Sequence, residues 1–190
     1  HSAKDIPSQH AEGLVIGAWC ERRDARDALV GKSLIELEIG ATVATGSVRR
    51  RAQLLTVRPD LQFVELRGNI HTRLEKIPEN GSIVMAIAAL QVLGLTSRVA
   101  QELPTSEFVP MVGQGCVAVE CREGDREILS AIASIDHART RYAVEIERAF
   151  LAELGVILLL IQVGLETDII ELKSVGRASI LVAIIGVALP

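Results

Sequence analysis

Aromatic residues are scarce in this sequence: one Trp, one Tyr and three Phe, 3% of the chain. Proteins that hold single-stranded nucleic acid stack bases on aromatic rings, so this scarcity argues against that class. No excess of basic charge exists either. Twenty Lys and Arg face 24 Asp and Glu, for a net charge of −4, which argues against a general polyanion binder. Cysteine is limited to Cys20, Cys116 and Cys121, an odd number without paired metal-ligand spacing. This fits a reducing compartment better than a disulfide framework, and no His/Cys/Asp cluster has zinc spacing, so no metal is expected. The first residues are polar and contain no apolar signal stretch; the sequence opens at His1 in mid-motif and reads as a fragment without its N-terminus.

What the chain does have is apolar mass. Hydrophobic residues make up 49% of its 190 positions, which excludes a disordered chain and is enough for a buried core. Mean hydropathy is +0.34. The character changes near Gly155. Residues 155–190 hold only five charges, and 22 of these 36 residues are Ala, Val, Ile or Leu. Two apolar runs around a short charged connector suit a truncated membrane hairpin or two core helices, since each run alone is short for ~30 Å of hydrocarbon.

Before Gly155, strands and helices alternate. Strands are expected at 13–20, 42–45, 61–66, 83–87 and 117–120. Helices are expected at 48–57 (stopped by Pro59), 70–77, from 87 to near Gly94, 123–135 and 140–154. This alternation means an α/β fold, with ligands near strand ends and helix starts.

Four segments have residues suited to chemistry. In His1-Ser2-Ala3-Lys4-Asp5-Ile6-Pro7, a carboxylate stands beside a lysine before a proline; a polar turn with a local ion pair is the ordinary reading, and a proton shuttle the functional one. In Thr45-Gly46-Ser47-Val48-Arg49-Arg50-Arg51, a strand ends, Ser47 can cap, and arginines fill the first helical turn. Basic residues there oppose the helix dipole, so an anion is expected to compensate them. Arg67-Gly68-Asn69 and Arg73 follow at the next strand end. From Arg49 to Lys76 seven basic and three acidic residues give a local net charge of +4, consistent with an anion-binding cleft. His71 reads as a surface residue. The glycines of Val112-Gly113-Gln114-Gly115-Cys116 allow a tight turn or close approach to a ligand, but lack the rest of a dinucleotide fingerprint. Cys116 and Cys121 read as buried strand residues.

Taken in order, HSAKDIP, ERRDARDALV, TGSVRRRAQL, RPDLQFVELRGNIHTRL, VGQGCVAVECR and ERAFLAEL resemble the porphobilinogen deaminase (hydroxymethylbilane synthase) family across residues 1–154. The resemblance implies periplasmic-binding-protein-like deaminase domains, here incomplete. Residues 1–25 would end the first domain, 26–111 form the second, 112–135 return to the first, 136–154 begin the third, and 155–190 form an apolar helical tail. It implies a cytoplasmic, usually monomeric transferase of tetrapyrrole (heme) biosynthesis. The family joins four porphobilinogen molecules into hydroxymethylbilane, releasing ammonia, on a covalently attached dipyrromethane cofactor. By motif match, Asp5 would be the catalytic carboxylate, stabilising positive charge on a pyrrole nitrogen. Ser2, Lys4, Thr45, Ser47, Arg49, Arg50, Arg67 and Arg73 would hold the carboxylates of cofactor and growing oligopyrrole. No nucleic acid partner is implied.

The match has departures. Gly46 stands where the family often has a second serine, Val92 where it has an arginine, and no cysteine occupies the cofactor-attachment position. This chain is therefore expected to be inactive as it stands. Residues 151–190 resemble a membrane segment of Kef-type cation:proton antiporters, so the whole reads as a fusion of two fragments. The alternative assignment is a membrane transporter with a soluble N-terminal extension, with membrane contact only through 155–190.

Overall fold

The structure is a computed structural model that describes residues 1–7 and 11–166. The chain divides into two compact units, His1–Arg148 and Ala149–Pro190.

Five strands of the first unit form one sheet: β2 (Asp27–Gly31), β3 (Thr42–Ala44), β4 (Gln62–Val64), β5 (Ser82–Ala86) and β6 (Val99–Leu103), with β1 (Leu14–Trp19) lying outside it. Their order is β4-β3-β5-β2-β6. β3 runs parallel to β4 and β5, whereas β2 runs antiparallel to β5 and β6. The parallel β3–β4 pair needs a crossover, which α1 (Val48–Val57) supplies.

Successive side chains of a strand point to opposite faces, and here both faces are covered. On one, Leu29, Val43 and Val84 pack with Leu54 of α1, Leu61, Leu103 and Phe108. On the other, Val30, Ala44, Ile83 and Met85 pack with Leu66, with Leu90 of α3 (Ile87–Val92), and with Ile70 and Leu74 of α2 (Ile70–Glu75). The run Ser82–Ala86 is buried at every position, as a strand covered on both sides must be.

A second, two-stranded antiparallel ladder joins β1 to β7 (Ala118–Arg122), with Leu14 opposite Arg122 and a register shift between Ile16 and Ala18. Its core is Ala3, Ile16, Trp19, Cys116, Ala118 and Val144. Val144 belongs to α5 (Ala138–Glu166), which follows α4 (Arg126–Ile132). The chain passes from ladder to sheet through residues 20–26 and returns through 104–117. These crossings bond to each other: Cys20 N–H donates to Val117 O at 2.9 Å and Arg23 N–H to Gly115 O at 2.8 Å. Gly115 has φ +86°, and a Cβ there would lie 2.6 Å from Arg23 O, so only glycine permits this approach.

β2 and β6 were not among the expected strands. β2 emerges from the charged run Glu21–Arg26, which masks a four-residue buried stretch. β6 mixes Val and Leu with Gln and Glu at a sheet edge. At the other end, the helix expected to stop at residue 154 continues. Helix α5 runs through Gly155 to Glu166, because an isolated glycine costs a helix only ~1 kcal/mol. In the second unit the described side chains from Ala149 to Val163 are exposed. Among the described residues no helix is long and apolar enough to cross a membrane, which leaves the apolar membrane tail unsupported. The rest of that expectation, residues 167–190, lies outside the described residues.

Leu29 is fully buried at the middle of β2. Leu29→Ala is expected to lower the free energy of unfolding by about 2–5 kcal/mol, read from urea denaturation.

Candidate functional site: an anion-binding cleft built on a buried carboxylate

The expected cationic turn forms as the sequence implied. Ser47 caps α1 by accepting the Arg50 N–H at 3.4 Å, and Thr45 Oγ1 accepts the Ser47 N–H at 3.2 Å. The anion that compensates the helix-start arginines is, however, supplied from within. Asp27, on β2, accepts Arg49 Nη2 at 2.7 Å on one oxygen and Arg50 Nη2 at 2.6 Å on the other. Arg49 also donates to Val109 O, and Arg50 Nη1 to Val84 O at 3.1 Å. This corrects the expectation that an external anion must balance the helix dipole. One carboxylate against two guanidiniums leaves the cluster at +1.

The Asp27 side chain is only 2% exposed. Burial alone pushes its pKa up, but hydrogen bonds and charge from Arg50 and then Arg49 outweigh this and hold it below the ordinary carboxylate value. Arg50 is itself 10% exposed, and its Nε–H has no partner. A buried donor without an acceptor is costly, so this atom marks where an acceptor is wanted.

Arg50 lies between two cavities. The larger, about 700 Å³, is lined by Ser2, Lys4 and Asp5 from the N-terminal turn, by Gln114–Val117 from the returning crossing, and by Arg23, Arg50, His71 and Arg73. Its other wall is apolar, with Met85, Ala88, Ala89, Val92 and Leu93. The smaller, about 260 Å³, is lined by Gly46, Ser47, Arg50, Glu65, Arg67 and Arg73. The N-terminal turn is held by the Ser2–Val117 bridge and by Ala3 N–H donating to Cys116 O at 2.9 Å. Lys4 is held below the usual lysine range, first by burial and then by the Arg50 charge, with Asp5 and Asp27 opposing. Arg73 gives its Nε–H to Gly68 O at 2.7 Å.

Of the candidate residues, the structure gathers Ser2, Lys4, Asp5, Arg50 and Arg73 on the larger cavity, and Ser47, Arg50, Arg67 and Arg73 on the smaller. Arg49 and Thr45 line neither, standing behind the walls as supports. Two other members of the basic window are structural. Arg51 pairs with Glu65, and Arg58 pairs with Asp60 while donating to Leu37 O and Glu38 O. Sequence reasoning missed Asp27, Arg23 and Gln114; His71 is exposed, as expected of a surface residue, and stands at the larger cavity. The available signal for Asp27 was an acid opening the apolar run Ala28-Leu29-Val30, where burial demands a cationic partner. Among the described residues no cluster could hold a metal ion.

A family model described as "Porphobilinogen deaminase, dipyromethane cofactor binding domain" matches residues 1–130. The chain belongs to the porphobilinogen deaminase family. Its sequence is 46% identical over 159 residues to the porphobilinogen deaminase of Brevibacillus brevis, covering 81% of this chain and 52% of that one. It is 49% identical over 154 residues to that of Xanthomonas axonopodis pv. citri, covering 78% and 51%. It is 47% identical over 159 residues to that of Desulforudis audaxviator, covering 81% and 52%. The chain thus spans about half the length of these deaminases. A solved structure, YhfZ from Shigella flexneri, aligns with 12% identity and a TM-score of 0.30 over 74% of this chain and 64% of that one, too slight a likeness to inform the fold. The antiporter resemblance of residues 151–190 finds no support: the family match ends at 130, and the relatives are deaminases.

Asp27→Ala leaves two largely buried guanidiniums unpaired and is expected to cost about 3–5 kcal/mol of stability, measured by denaturant titration. Because the folded pKa of Asp27 lies below its unfolded value of about 3.9, its contribution is present above that pH and lost as pH falls through the folded pKa. Thermal melts from pH 6 down to 2 should show this loss below about pH 4, and Asp27→Asn should remove that part of the slope.

Proposed function

We propose that this chain is the part of a porphobilinogen deaminase that holds the polycarboxylate chain. The reaction served is the head-to-tail joining of four porphobilinogen molecules into hydroxymethylbilane with release of ammonia. One observation carries the reading: Lys4 and Asp5 from the N-terminal turn meet Arg50 and Arg73 from the five-stranded sheet on one cavity of about 700 Å³. A pyrrole bearing acetate and propionate groups has an apolar ring and anionic arms, and the cavity has an apolar wall and a cationic one.

In this reading Arg50, Arg67 and Arg73 bind substrate carboxylates, while Arg49 and Thr45 support Arg50 and Ser47 from behind. Ser2 and Lys4 hold the neighbouring ring's arms. Asp5 is the catalytic residue: its exposed carboxylate faces the cavity, where it stabilises positive charge on a pyrrole nitrogen as ammonia departs. The periplasmic-binding-protein-like fold is part of the same proposal. So are the divisions 1–25, 26–111, 112–135 and 136–154, with the five-stranded sheet as the second deaminase domain.

The dipyrromethane cofactor of the family fits the cationic residues, which would hold its carboxylates through Lys4, Arg50 and Arg73. When bound, it supplies the pyrrole end from which the product grows. The cysteines do not fit covalent attachment. Burial pushes the Cys116 thiol up to about 11, and Cys20 and Cys121 are half-buried in or beside the ladder. The transporter alternative is favoured by no feature of the described residues.

Porphobilinogen binding, followed by calorimetry, is expected to weaken by about 1.5–3 kcal/mol in Arg73→Leu, and to weaken with added salt. Equal affinity of the two proteins would remove the site. The purified chain incubated with porphobilinogen is expected to keep its unmodified mass of 20.5 kDa and to form no hydroxymethylbilane. A covalent pyrrole adduct with turnover would overturn that part of the reading.

A further inference from the structure

Gln114 lies on the returning crossing and is 1% exposed. Both protons of its carboxamide are used. Nε2 donates to Ala25 O at 2.6 Å on the outgoing crossing and to Asp27 Oδ1 at 2.8 Å. That oxygen is the one that accepts Arg50 Nη2 at 2.6 Å. The Gln114 backbone carbonyl accepts Arg22 Nε–H at 2.9 Å. Arg22 is also gripped by Glu147, which accepts the Gly113 N–H at 2.9 Å. Gln114 Oε1, by contrast, is buried without a partner. The amide is therefore held by its two donated bonds, one to each of the elements it joins.

We propose that Gln114 is a positioning residue that couples anion binding at the arginine cluster to the geometry of the two crossings, 20–26 and 104–117. The inference rests on the polycarboxylate reading of the cavity. If the crossings shift against the sheet, the amide leaves Asp27, and a charge-assisted bond in a dry site is lost. Asp27 is then fixed only by the guanidiniums it is meant to orient. A ligand that fixes the Arg50 guanidinium favours the arrangement in which Gln114 is engaged. By reciprocity, an engaged Gln114 strengthens ligand binding.

The test uses the full chain, porphobilinogen as probe, and Gln114→Met, which keeps the side-chain length and loses both donors. Calorimetry is expected to show affinity falling about fivefold or more in Gln114→Met. In the Asp27→Ala background, where no side-chain oxygen is left to accept from both the amide and Arg50, the same change should cost less than twofold; a residue that merely stabilises the fold would give additive losses. Hydrogen exchange provides a second readout on residues 24–29, which do not line the cavity. Porphobilinogen should slow their exchange in wild type and not in Gln114→Met. If Asp27→Ala does not fold, this comparison decides. If Gln114→Met does not fold, ligand protection at 24–29 in wild type decides, and its absence overturns the coupling. Wild-type binding with unchanged affinity in Gln114→Met overturns the coupling alone. No binding by wild type overturns the site reading and this inference with it.

Discussion

A single buried carboxylate sets the terms for the functional half of this molecule. Asp27 is drawn out of water by β2, where its neighbours Ala28, Leu29 and Val30 must be buried. A lone carboxylate there would be prohibitively costly, so it must be paired. Two guanidiniums from the first turn of α1 do this, and in turn Asp27 removes the conflict between those arginines and the helix dipole. The arginines are fixed by an internal ion cluster before any ligand arrives. What remains for a ligand is one surplus positive charge, the unpaired Nε–H of Arg50, and the nearby cations Arg73 and Lys4.

Around this cluster the cavity takes one wall from each of two sheets. The five-stranded sheet contributes arginines at strand ends and an apolar wall from α3. The two-stranded ladder contributes Lys4 and Asp5 on a turn pinned by the Ser2–Val117 bridge. Close backbone contact at Gly115 lets the two crossings run side by side, and the Gln114 amide joins them to Asp27. Electrostatics and connectivity meet in the same few residues, so the orientation of the arginines depends on how the two sheets are joined.

Membership of the porphobilinogen deaminase family and a span of about half its relatives fit together with this arrangement. The matched residues 1–130 contain the whole cavity lining and the whole arginine cluster. The continuation is less informative about function: α5 passes through Gly155 without a break, and the described residues beyond Arg148 present exposed side chains.

The amino-acid sequence by itself determined the alternation of strands and helices, the caps at Ser47 and the turn around Thr45, and the gathering of arginines at strand ends. These follow from local rules: apolar periodicity, capping and charge density within a short window. The family was legible too, because six ordered segments carried it. Only the tertiary structure decided that Arg49 lies off both cavities while Arg50 and Arg73 line them, and that Arg51 and Arg58 pair with Glu65 and Asp60. It alone brought Asp27 within 2.8 Å of Gln114, 87 positions away. The sequence could not show this, since β2 hides behind a charged run that reads as solvated. Whether a charge is solvated or buried depends on what packs against it, and those partners came from β5, α1 and a crossing distant along the chain.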